Sequence, residues 1–244
     1  MTARFRTDGD LQTQVGEYLH LVVNCGVLFR SGLQLYLQDR PEEFHGRLSQ
    51  LRAVIAQAEE RRWHMVSRYC QPSFFTRARA DLMACLDSTD DLVRQLLHTL
   101  QRIAVEQPEP VLEGNAQLNE LAEHAKLTID AMAAAIGAHF RGSRDTAALV
   151  RAVHDARDTA GRTGEAYHSA LFRRDLRLSH KLQLSQFGDA MDQLAAIAAD
   201  AVDRVVALGT RPLRRLMARE SGVVAAAMSI AGVAIVLMLH FATP

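Results

Sequence analysis

Residues 86–93 read LDSTDDLV, and 102 positions later residues 188–195 read GDAMDQLA. The match sets Asp87 on Asp189, Asp90 on Asp192 and Leu92 on Leu194, so an Asp-x-x-Asp pair recurs beside the same apolar position. A second match falls in the same order. LRAV at 51–54 recurs as VRAV at 150–153, an offset of 99 that carries Glu59 onto Asp158. Two matches in one order predict a duplicated unit. The difference between the two offsets belongs in the intervening loop, where insertions are tolerated.

The unit is helical. Phe44, Leu48, Leu51, Ile55, Ala58, Met65 and Tyr69 follow a 3.5-residue spacing interrupted by one charge, Arg62, which describes a bundle seam. Leu82, Leu86, Thr89, Val93, Leu96 and Leu100 form a second such stripe, and no segment shows the strict alternation of an exposed strand. Breaks fall at 39–43, 70–73, 106–115, 141–145, 173–179 and 209–212. Pro41 and Pro212 stand where a first helical turn tolerates proline, and Gly209 where a helix end favours glycine. The expected architecture is all-α. One three-helix repeat occupies residues 1–105, a linker 106–115, a second repeat 116–210, and a basic flank with a transmembrane helix 211–244.

Composition narrows the function. The chain has 244 residues, 48% hydrophobic and 23% charged, ordinary for a folded protein. Its 28 basic and 28 acidic residues cancel, so no global field draws it to nucleic acid, and no nucleic-acid partner is expected. Cys25, Cys70 and Cys85 have no framework spacing, which suits packing thiols in a reducing compartment. The N-terminal stretch MTARFRTDGDLQTQ lacks the apolar run of a secretory signal.

The C-terminal run SGVVAAAMSIAGVAIVLMLHFATP, residues 221–244, carries no full charge. In helical rise it reaches about 36 Å, against a hydrocarbon core of about 30 Å. Arg211, Arg214, Arg215 and Arg219 precede it and none follows, which places that flank on the cytoplasmic side. The expected location is the inner, cytoplasmic membrane, as a single-pass tail anchor with the N-terminal body in the cytoplasm. Ala225, Ser229 and Gly232 form a small-residue stripe where another membrane helix could approach.

The acidic positions are the candidates for chemistry. Glu59 and Asp158 on the second helices, with Asp87, Asp90, Asp91, Asp189 and Asp192 on the third, could gather carboxylates from adjacent helices. Such a set suits hard divalent cations, iron or manganese, although no cofactor is required. Asp87 and Asp91 fall away from the apolar stripe, so the site would lie on the bundle surface. Arg62 and Arg157 sit on or beside the stripes and need carboxylate partners, with Glu59 and Asp158 within reach. Glu165 and His168 in EAYH make one copy of the Glu-x-x-His element that di-iron bundles use twice. The basic turn FRRDLRLSHK, residues 172–181, reads as a solvated loop or a face for lipid headgroups or an acidic partner. There is no phosphate-binding glycine loop, no dinucleotide fingerprint, no HExxH and no zinc spacing, so no enzymatic activity is expected.

With these features the chain resembles the PhoU-like phosphate-transport regulators, in the branch paired with Pit-type phosphate permeases. The residues that carry the resemblance are the two three-helix halves, LDSTDDLV with its acidic pair, AQAEERR at 56–62 and YHSALF at 167–172, over about residues 8–208. It implies surface metal clusters held by Glu/Asp-xxx-Asp motifs. Asp87 and Asp91 keep that spacing here, while Trp63 follows Glu59, Arg162 follows Asp158, and Asp189 and Asp192 are three apart. It also implies a regulator of an inorganic phosphate permease; the bilayer anchor is not part of the family's core pattern and would tether such a regulator beside the permease. A second copy of the chain or another membrane protein is a further candidate partner. The alternatives are a membrane-anchored helical scaffold unrelated to phosphate and a carboxylate-bridged metal enzyme.

Overall fold

The computed structural model describes residues 2–70, 76–109 and 112–210. Six helices follow in order: α1 Thr2–Leu37, α2 Pro41–Tyr69, α3 Thr76–Glu106, α4 Leu112–Phe140, α5 Thr146–Phe172 and α6 Leu178–Thr210. No strand occurs among the described residues. The helices form one compact unit. Within it α1 packs on α2, α3 and α4, and α4 packs on α5. Within the predicted 106–115 linker, α3 ends at Glu106 and α4 begins at Leu112.

The two predicted seams are buried. On α2, Phe44, Leu48, Leu51, Ile55, Ala58, Met65 and Tyr69 face the core; on α3, Leu82, Leu86, Thr89, Val93, Leu96 and Leu100 do so. Burial of each such side chain contributes about 1.5–3 kcal/mol, and this burial, rather than helix propensity, holds the bundle.

Buried positions recur between the two halves, in a register other than that of the sequence match at LRAV. On α1, Val15, Tyr18, Leu19, Val22 and Phe29 are buried, and so are Leu118, Leu121, Ala122, Ala125 and Met132 on α4, each 103 positions later. Leu51, Ala58, Met65 and Tyr69 on α2 correspond to Val153, Ala160, Tyr167 and Leu171 on α5 at 102. Leu82, Leu92, Val93, Leu96 and Leu100 on α3 correspond to Leu184, Leu194, Ala195, Ala198 and Val202 on α6, again at 102. The offset of 99 therefore does not hold for the second helices. Glu59 corresponds to Gly161, not to Asp158, and Arg62 to Gly164. LRAV and VRAV are alike in letters, but a shift of three residues keeps a helix on nearly the same face, so a short match cannot distinguish the registers.

The turns repeat as well. After α1, Asp39 adopts φ 55° while Arg40 N–H donates to Leu35 O at 3.0 Å; after α4, Gly142 adopts φ 65° while Ser143 N–H donates to Ala138 O at 3.0 Å. Both are left-handed helix ends closed by a six-to-one hydrogen bond, and the two positions are 103 apart. Pro41 then begins α2 in its first turn.

None of the described helices is long and apolar enough to cross a membrane. The predicted span at 221–244 lies outside the described residues, with its stripe Ala225, Ser229 and Gly232. So do Arg211, Pro212, Arg214, Arg215 and Arg219.

Candidate functional site

In the first half the acidic motif meets a cation from α2. Arg62, the one charge in the α2 seam, donates from Nη2 to Asp87 Oδ1 at 2.7 Å. Its partner is thus Asp87 across the helix interface, not Glu59, which is exposed on α2's outer side and has no ion pair among the described residues. Burial works against the guanidinium's charge, but the Asp87 hydrogen bond and the Asp90 carboxylate outweigh it, and the Arg62 pKa lies above the ordinary arginine value. Asp90 is 9% exposed and binds Arg94 one turn on at 2.9 Å. Behind them Tyr18 on α1 and Thr89 on α3 share a buried hydrogen bond of 2.9 Å, and Thr89 Oγ1 donates to Cys85 O. Burial raises the Tyr18 phenol well above its usual pKa, so it stays neutral as a donor or acceptor in the core.

The second half holds the equivalent positions differently. Where Arg62 stands, Gly164 is buried, and a Cβ there would lie 3.8 Å from Leu121 and 3.9 Å from Asp192. Leu121 replaces Tyr18 and Gly164 replaces Arg62, while Asp192 keeps the place of Asp90. Asp192 Oδ1 is buried without a hydrogen-bond partner. Arg157, two turns before Gly164, brings Nη1 to 3.5 Å from the Cβ position of Gly161, where Asp192 Oδ1 stands at 3.7 Å. Its Nη1 is also 3.9 Å from Asp158, both side chains being well exposed. Asp189, the counterpart of Asp87, is bound by His168 of α5, Nε2 to Oδ1 at 3.0 Å. His168 therefore faces α6 and is not the partner of Glu165, which is exposed.

The structure does not gather the acidic positions into one cluster. Among the described residues no three His, Cys, Asp or Glu side chains are gathered as ligands. The first-half residues do not fit a divalent cation, because the Arg62 guanidinium already occupies the space in front of Asp87 and a second positive charge there would be repelled. Asp91, one turn after Asp87, turns instead to a groove between α3 and α6, about 310 Å³, lined by Ser88, Asp91, Gln95, Ile197, Asp200 and Arg204. A larger open groove of about 460 Å³ runs between α1 and α2, where Arg61 pairs with Glu17 beside Glu60 and His64.

One arrangement was not expected from the sequence. Ser185 Oγ lies 3.2 Å from His168 Nδ1, so Ser185, His168 and Asp189 are hydrogen-bonded in a row. The order has the form of a nucleophile–base–acid set. Ser185 lies inside continuous α6, beyond its first turn, so the neighbouring backbone N–H groups are committed to the helix and offer no oxyanion donors. The set ties α5 to α6. The sequence signal for it was the i, i+4 pair Ser185 and Asp189 on one helix face, with the histidine 17 residues away from the serine.

This six-helix arrangement occurs in solved structures. The crystal structure of a PhoU-like protein from Shewanella oneidensis MR-1 aligns with a TM-score of 0.75 at 13% identity, covering 82% of this chain and 100% of that one. The fold is PhoU-like. A second crystal structure from the same organism, of a protein described as a PhoU-like phosphate regulatory protein, aligns with a TM-score of 0.73 at 13% identity over 83% of this chain and 97% of that one. Neither a family model nor a curated protein sequence matches the chain. The PhoU-like fold is thus retained at an identity where the side chains of the acidic motifs are free to differ.

Proposed function

We propose that the chain is a membrane-tethered, non-catalytic accessory protein that acts on an inorganic phosphate permease, of the Pit type, from the cytoplasmic side of the cell membrane. The observation that carries this reading is the PhoU-like fold over 100% and 97% of the two solved chains, one of them described as a phosphate regulatory protein. The tether rests on the uncharged run 221–244 and its arginine flank. Regulation then works by differential binding, the bundle favouring one conformational state of the permease over another. A tether raises the local concentration of the bundle, so a weak contact suffices. No step requires a metal: Arg62 pairs with Asp87 of the first motif, and His168 is hydrogen-bonded to Asp189 of the second. The test is co-purification of the full chain with a phosphate permease, together with phosphate uptake in cells lacking the protein. Capture of the permease and altered uptake are expected; no permease and unchanged uptake would sink the reading.

The second reading is a helical scaffold on the membrane without a link to phosphate. The departure of the acidic motifs from ligand geometry favours it. Full-chain capture of a different membrane protein, with unchanged phosphate uptake, would select it.

A further inference from the structure

The turn between α5 and α6 carries a surface that the bundle does not use. Phe172, Leu178 and Leu182 are 46%, 64% and 48% exposed, and Val105 at the end of α3 is 83% exposed. Val105 belongs to the same end of the bundle, because Arg102 and Glu106 on either side of it bond Gln186 and Gln183 of α6. Four of the seven large apolar side chains exposed among the described residues therefore collect at one tip, which separates them from the scattered exposure normal on a surface.

The charges of the tip are sorted. Lys181 Nζ donates to Phe172 O at 2.9 Å and closes α5, His180 Nε2 donates to Glu109 O at 2.9 Å, and Arg174 has its Nη1 buried. Arg173 and Arg177 are exposed between the apolar side chains and have no ion pair among the described residues; Asp175 is the only acid from 172 to 182, and of the two acids at and just after the end of α3 beside the tip, Glu106 is paired with Arg102 while Glu109 is exposed. The tip therefore offers free guanidinium groups beside free Phe and Leu side chains.

We propose that this tip is a contact site for an anionic lipid bilayer. A bilayer interface accepts apolar wedges while guanidinium groups stay among the headgroups, which matches exposed Phe and Leu side chains interleaved with exposed arginines. Leu178 begins α6 and Thr210 ends it, about 48 Å apart along the helix.

A tryptophan placed at the tip reads the contact locally. The full chain with Leu178→Trp and Trp63→Phe has a single tryptophan; Trp63 itself, 71% exposed near the C-terminal end of α2, serves as the remote control in the parent chain. Vesicles of phosphatidylcholine with brominated acyl chains, with or without phosphatidylglycerol, are titrated into each. Quenching of the tip tryptophan on phosphatidylglycerol vesicles, with Trp63 unquenched, is expected. Arg173→Gln with Arg177→Gln should weaken the lipid dependence about thirtyfold, about fivefold for each charge. Leu182→Trp in the Trp63→Phe chain repeats the measurement should Leu178→Trp lose helical content. No quenching at either tip position, equal quenching without phosphatidylglycerol, or quenching unaffected by loss of both arginines overturns the proposal; in the first case the basic tip serves an acidic protein instead.

Discussion

Replacing Arg62 by methionine keeps an unbranched stem in the α2 seam and removes only the guanidinium. The Arg62 side chain is 26% exposed and that of Asp87 56%, so their ion pair is nearer to surface than to core and is worth about 0.5–1 kcal/mol. Its loss also leaves Asp87 and Asp90, one turn apart, without a shared cation, which adds a few tenths of a kcal/mol; Asp90 keeps Arg94. Arg62→Met should therefore cost about 1–1.5 kcal/mol, or about 2–6 °C in Tm for a chain of this size. In a double-mutant cycle with Asp87→Asn, by urea unfolding in mild detergent, the coupling should be about 0.5–1 kcal/mol. The vacated space should then accept a divalent cation. Mn²⁺ at about ten times its dissociation constant would restore about 1.4 kcal/mol to Arg62→Met and nothing to the parent. A coupling indistinguishable from zero, or a parent stabilised by Mn²⁺ as much as the variant, would refute the view that the guanidinium stands in for a metal.

A Cβ at Gly188 would stand 2.7 Å from Tyr167 Cε1, and Tyr167 is buried, so Gly188→Ala should overpack the α5–α6 contact by about 1–3 kcal/mol, of which helix propensity returns about 1. The equivalent first-half residue is Met65, and Tyr167→Met should restore the Tm of Gly188→Ala; a double variant that melts no higher than the single one removes the clash as the cause. Gly142→Ala should cost about 1 kcal/mol in thermal melts, because φ there is 65°, whereas Asp39→Gly should leave the Tm unchanged or slightly raised; equal effects at both turns would contradict this. Burial first, joined at Tyr69 by the Asp10 hydrogen bond, pushes Tyr69 and Tyr167 up to about 12 from an ordinary 10.0. The folded values exceed the unfolded ones, so this stability is fully present below pH 10 and is lost as pH rises from there towards 12. The urea midpoint should fall across that window, and a flat profile would show that the phenols ionise equally well in the fold.

The six helices were legible because their breaks are chemically marked and their seams repeat at bundle spacing. Pro41 signals a boundary by its fixed φ and Gly142 by its access to positive φ, and the seam from Phe44 to Tyr69 needs only the rule that a helix buries one stripe. What the sequence hid was the partner of each charge. Within the reach of Arg62, Glu59 is nearer along the chain, but Asp87 is nearer in space, since α3 returns antiparallel against α2 and its acidic turn faces the interrupted seam. His168 likewise has Glu165 three residues away, and yet its ring spans to Asp189 and Ser185 on α6. Spacing along one helix states which residues share a face; the neighbouring helix decides what that face meets.

At corresponding positions the two halves differ in matched sets rather than singly, and this bears on where function resides. At Met65 and Leu86 the second half has Tyr167 and Gly188, a larger side chain opposite a smaller one, so the packing volume moves between helices while the interface is kept. At Tyr18 and Arg62 it has Leu121 and Gly164, which exchanges a polar network for apolar contact and leaves Asp192 with an unpartnered buried oxygen. A buried carboxylate oxygen without a donor is costly, and the equivalent first-half position shows that the fold can hold a neutralising arginine there. Its absence from the second half is not forced by the architecture. Arg157 approaches from two turns away and supplies charge nearby, with both its own side chain and Asp158 open to solvent. The acidic motifs of the two halves are therefore not two copies of one site: the first is closed by its own arginine, and the second is held by residues that a partner could reach.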